Sequence, residues 1–101
     1  MNATADEVFD VLATILDPEL GINIVDLGLI YDVQVQDHGV SVLMTMTTPA
    51  CPNASHLVDQ AKLIVRSQFP TLLTVDVQLV WEPLWHPLMM SWEAKQRLGW
   101  T

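Results

Sequence analysis

The sequence is poor in the groups that hold anions. Lys and Arg together number 4 against 12 Asp and Glu, a formal charge of −8 over 101 residues. No basic stripe is present to neutralise phosphates, so no nucleic-acid partner is expected. An anionic membrane surface would repel the chain for the same reason. Cysteine occurs once, at Cys51; an internal disulfide is ruled out, and a lone thiol fits a reducing compartment. Long apolar runs are also missing: nothing approaches the ~20 residues of a membrane span. Met1 to Glu7 carries acids where a signal peptide would carry Lys or Arg, and the expected location is the cytoplasm. The acidity itself serves solubility, with a docking face for a basic partner as the alternative.

Half of the residues are hydrophobic, ample for the core of one domain spanning residues 1–101. Thr4 and Glu7 have capping-box spacing. Val8, Val11, Leu12, Ile15 and Leu16 then recur on one helical stripe until Asp17-Pro18 stops it. From Leu29 the period becomes two, with Leu29, Tyr31, Val33 and Val35 on one side and Asp32, Gln34 and Gln36 on the other. Asp37-His38-Gly39 reads as a hairpin loop, and Val40, Val42, Met44 and Met46 mark the return strand. A second helix carries Ala54, Leu57, Val58, Ala61, Ile64 and Val65 on its apolar face and ends at Pro70. Leu73 to Trp81 alternates as a third strand, and Ser91 caps a short last helix closed by Gly99.

This order predicts an α/β, two-layer sandwich. A three-stranded, mostly antiparallel sheet in the order 2-1-3 would carry two main helices on one face, with the short C-terminal helix added. The second helix supplies the crossover between strands two and three.

Cys51 is the residue most suited to chemistry. Pro52 fits the first helical position, which places Cys51 at the start of the second helix, where backbone N–H groups and the dipole favour a thiolate. Such a sulfur is a nucleophile and a soft-metal ligand; the plain alternative is a small buried hydrophobe. Thr47 and Thr48 lead into this junction, with hydroxyls to offer to a ligand or to loop backbone. Asp17, Glu19 and Asp26 form a carboxylate-rich loop that the hairpin brings toward the end of strand two; each acid is a candidate base, hard metal ligand or loop cap. A carboxylate near Cys51 would raise its pKa against the dipole. His38, His56 and His86 have no zinc-site spacing. One thiol falls short of the ~4 ligands of an iron–sulfur cluster, so transient transfer, or sharing across a homodimer, is expected over storage. The C-terminal third gathers Trp81, Leu84, Trp85, Leu88, Met89, Met90, Trp92, Leu98 and Trp100. Trp85, Met89, Met90, Trp92 and Trp100 are expected on a partner surface, the rival being core packing under a wrapped tail.

Four motifs together carry a family resemblance: Asp17-Pro18-Glu19-Leu20-Gly21, Asn23 to Ile30, Thr47-Thr48-Pro49-Ala50-Cys51-Pro52, and Ser91 to Trp100. They resemble the SufT/PaaD-like domain family, which also includes the eukaryotic cytosolic iron–sulfur assembly factor that interacts with the MMS-nineteen protein. The resemblance runs from Val8 to Trp100. It implies an iron–sulfur cluster assembly type of fold and an accessory role in assembling clusters or delivering them to client apo-proteins. It further implies that Cys51 is the functional residue and that Asp17, Glu19, Thr47 and Thr48 line its cleft. A cluster or iron would be held transiently there, with the assembly machinery and clients as partners and no permanent cofactor. Catalysis is not expected. The alternative is a non-catalytic adaptor in a maturation or oxygenase-assembly complex.

Overall fold

A computed structural model describes residues 4–18, 20–47 and 54–99. Helix α1 (Ala5–Leu12) begins on the predicted capping box: the Glu7 amide donates to Thr4 Oγ1 at 3.2 Å and the Thr4 amide to Glu7 Oε1 at 3.1 Å. The helix ends earlier than its apolar stripe does. Thr14 Oγ1 donates to the Val11 carbonyl at 2.7 Å, and this local bond competes with continuation of the helix. Ile15 stays in the core beyond the helix, whereas Leu16 is exposed and bridges to Asn23.

Strands β1 (Ile30–Gln36) and β2 (Gly39–Met44) form the expected antiparallel hairpin. Helix α2 (Ala54–Gln68) then crosses to β3 (Thr74–Leu79), and α3 (Trp92–Leu98) follows a single 3-10 turn at Pro87–Met89. The sheet order is β1-β2-β3, with β3 parallel to β2. This corrects the expected 2-1-3 order and its mostly antiparallel pairing: one of the two pairings is parallel. Burial gives the physical reason. Val40, Val42 and Met44 of β2 are all at or below 2% exposure, whereas no residue of β1 is fully buried. The strand with the most to hide takes the centre, and half-exposed β1 is left at an edge.

Helices α1 and α2 cover one face of the sheet. Val8 and Leu12 from α1, and Leu57, Ala61 and Val65 from α2, meet Val40, Val42, Met44, Val75 and Val77 in the core. Each large side chain so buried stabilises the fold by about 1.5–3 kcal/mol. The other face presents Asp32, Gln34, Ser41, Leu43, Asp76 and Gln78. Among the described residues, no helix is long and apolar enough to cross a membrane.

Candidate functional site

A chain of backbone hydrogen bonds ties the acidic loop to the exit of β2. The Asp17 amide donates to the Ile22 carbonyl at 2.9 Å, and the Ile24 amide to the Ile15 carbonyl at 3.0 Å. The Leu29 amide then donates to the Ile24 carbonyl at 3.0 Å, and the Thr45 amide to the Leu29 carbonyl at 2.8 Å. Residues 15–17, 22–24, 29 and 45 therefore lie side by side at one end of the sheet. The segment carrying Asp17 is linked laterally to the segment that leads into Thr47.

Asp17 is buried, at 4% exposure. Its Oδ1 accepts from the Leu20 amide at 3.2 Å, and its carbonyl from the Gly21 amide at 2.8 Å. The turn so formed passes through Gly21 at φ 67°, a region glycine enters without steric cost. Asp26 is half-buried and reciprocally bonded to Asn23: Asn23 Nδ2 donates to Asp26 Oδ2 at 2.8 Å, and the Asp26 amide to Asn23 Oδ1 at 2.8 Å. Thr47 is half-buried. Cys51, Thr48 and Glu19 lie outside the described residues, so the expected meeting of thiol and acids is placed on one side only. His38, His56 and His86 are exposed, and no group of three His, Cys, Asp or Glu converges among the described residues.

The C-terminal segment lies along the same loop. Trp85 Nε1 donates to the Leu27 carbonyl at 2.7 Å, the Ser91 amide to the Asp26 carbonyl at 2.7 Å, and Arg97 to the Gly21 carbonyl at 3.4 Å. Trp85 is half-buried by this contact. Met90, expected on a partner surface, is instead a core residue at 4% exposure. Packing the tail against the Asn23–Leu29 loop turns that side chain inward. Met89 at 37% and Trp92 at 68% exposure do face outward, and Trp100 lies outside the described residues.

Sequence reading assigned no site role to Gly28, Tyr31 or Thr45. Gly28 has φ 77°, and an added Cβ there would overlap the Met89 main chain. The β1–β2 register shifts between Ile30 and Asp32. Tyr31 thereby leaves the apolar row assigned to it, and its hydroxyl donates to the Pro83 carbonyl at 2.7 Å, with Met89 Sδ at 3.5 Å. Burial raises the phenol pKa above 10.0, and the nearby Thr45 hydroxyl opposes that rise. Thr45 is itself fully buried, and its Oγ1 completes no hydrogen bond of proper geometry among the described residues. The available signal was the phenol itself, which seldom sits in a buried row without a partner for its hydroxyl.

Known proteins match this chain closely. It is 45% identical over 86 residues to the Fe-S protein maturation auxiliary factor SufT of Staphylococcus aureus, covering 84% of this chain and 97% of that protein. The Fe-S protein maturation auxiliary factor YitW of Bacillus subtilis is 38% identical over 99 residues, covering 97% and 96% of the two chains. Among solved structures, a Bacillus anthracis domain of unknown function, DUF59, superposes with a TM-score of 0.89 at 37% identity, covering 93% of this chain and 90% of that one. Residues 5–79 match the family model described as iron–sulfur cluster assembly protein. With its helix-covered three-stranded sheet and the Asp17 loop bonded through Leu29 to the end of β2, this chain belongs to the iron–sulfur cluster assembly protein family, among relatives named SufT and YitW.

Proposed function

We propose that this protein is an accessory factor in cytoplasmic iron–sulfur protein maturation that holds a cluster, iron or a partner's sulfur transiently at Cys51 and passes it to client apo-proteins. The observation that carries this reading is the lateral bonding of the Asp17 segment to the Thr45 segment through Leu29. It brings the acidic loop to the end of the sheet from which the chain continues to Thr47, Thr48 and Cys51. The auxiliary-factor names of the relatives support the role. A single thiol is well suited to handing cargo on, because the remaining ligands of a cluster must come from elsewhere. No step requires the protein to act as an enzyme. Buried Asp17 orders the loop through the Leu20 and Gly21 amides.

Anaerobic reconstitution followed by transfer to an apo-protein tests the reading. Cys51→Ala is expected to lower the transfer rate at least about tenfold while leaving the thermal midpoint of the apo-protein within a few degrees. Transfer at the wild-type rate would overturn it. A second reading, an adaptor without chemistry, is favoured by the outward-facing Leu84, Leu88 and Trp92, which are 65%, 74% and 68% exposed. In that case Trp92→Ala abolishes complex formation with assembly proteins and Cys51→Ala is silent.

A further inference from the structure

We propose that the outer face of the sheet, the face away from α1 and α2, is a docking groove for a cationic segment of a partner protein that carries apolar side chains between its Lys or Arg residues. This concerns recognition and holds whether or not Cys51 carries cargo. The groove is a cleft of about 620 Å³ with Tyr31, Leu43, Val80 and Met89 as apolar walls and Asp32 and Glu82 beside them. Asp32 and Leu43 also line a smaller cleft of about 150 Å³ that reaches across β2 to Asp76 and Gln78. The two clefts share Asp32 and Leu43 and together border all three strands, with the apolar walls at one end and carboxylates in both.

Two of these carboxylates, those of Asp32 and Asp76, are already oriented. Gln34 Nε2 donates to Asp32 Oδ2 at 3.1 Å, and Gln78 Nε2 to Asp76 Oδ2 at 3.2 Å, each from two residues along on the same face. These amides fix the acids without neutralising them. Among the described residues, no Lys, Arg or His lines either cleft. Lys62 and Arg66 lie on α2, in the layer behind the sheet, and Lys95 and Arg97 lie on α3.

Charge decides the occupant. A second copy would bring the same acids face to face, and like charges across an interface cost several kcal/mol. Nucleic acid and anionic lipid are repelled on the same grounds. A bare metal ion lacks ligands, since no three His, Cys, Asp or Glu converge among the described residues. A peptide with Lys or Arg flanking Leu-like side chains satisfies both parts. Its aliphatic groups cover Leu43, Val80 and Met89, and its cations reach Asp32, Glu82 and Asp76.

The test uses the isotope-labelled full chain and three short synthetic peptides: Lys/Leu, the same with every Lys replaced by Glu, and Lys/Gly without apolar side chains. The Lys/Leu peptide is expected to shift the amide resonances of Asp32, Leu43, Val80 and Glu82, and to bind at least about tenfold more tightly than either control. Leu43→Asn leaves the charge unchanged and should weaken binding roughly tenfold, as should Asp32→Asn with Glu82→Gln. The proposal is overturned by no binding, by shifts centred on Asp6, Glu7 and Asp10 of α1, by Lys/Gly binding as tightly as Lys/Leu, or by unaltered affinity in both variants. Those outcomes describe unspecific attraction to an acidic protein, or none.

Discussion

Gly28 shows how one missing side chain fixes the relation between two distant segments. Its φ of 77° and the Met89 main chain packed against it leave no room for a Cβ. Gly28→Ala should cost about 3 kcal/mol or more, through left-handed backbone strain plus displacement of the tail. The midpoint of urea unfolding checks this. Tyr31 gives a second test at this scale, because it is the one tyrosine in the chain and tyrosinate absorbance therefore reports it alone. Burial raises its pKa in the folded state above 10.0. The stability linked to this group is therefore fully present below 10.0 and lost as the pH rises through the folded value. Titration of the native protein should show a midpoint above that of the urea-unfolded chain. Thr45→Val should move the native midpoint further up, because the opposing hydroxyl is gone. Coincident native and unfolded midpoints would contradict the account of Tyr31.

At the scale of elements, α1 depends on its start more than on its length. It is an eight-residue helix, short enough to be marginal without caps and tertiary packing. Thr4→Ala should cost about 1 kcal/mol, read as a lowered thermal midpoint with Val8 and Leu12 still in the core. The start of α1 was legible because the capping box is a local pattern. Its end was not. The Val8–Leu16 stripe is continuous in sequence, but Thr14 turns back to Val11 and Ile15 is drawn into backbone pairing with Ile24. Apolar spacing cannot separate a helix from a helix followed by a buried extended residue. The three strands and α2 were legible for the opposite reason: alternation or helical period persists through them and, apart from Tyr31 at the β1 register shift, matches the face each buries.

At the scale of the molecule, the charge of −8 is an unfavourable self-repulsion carried by the folded state. Raising NaCl from low millimolar to about 0.5 M should therefore stabilise the fold by about 1 kcal/mol through screening. Chemical denaturation by urea, which is uncharged, measures this without adding ions of its own. A fall in stability with salt would mean that attractive pairs outweigh the repulsion. The same distribution of charge gives the outer sheet face its character. Asp32 and Asp76 come from strands far apart in sequence and share one cleft because β2 lies between them.

By itself the sequence determined the class of elements, the hairpin, the capping of α1 and α3, and membership of an iron–sulfur assembly family, because each rests on short-range pattern or on contiguous motifs. It also marked Asp17, Glu19 and Asp26 as parts of one carboxylate-rich loop. The tertiary structure alone decided which strand is central, since that depends on the summed burial of β2 against both neighbours rather than on any local period. Only the fold, too, could turn Met90 inward and aim Tyr31 at Pro83, because both follow from a tail that packs on a loop more than fifty positions earlier in the chain. Local physics writes the parts. Contacts between remote segments choose their order.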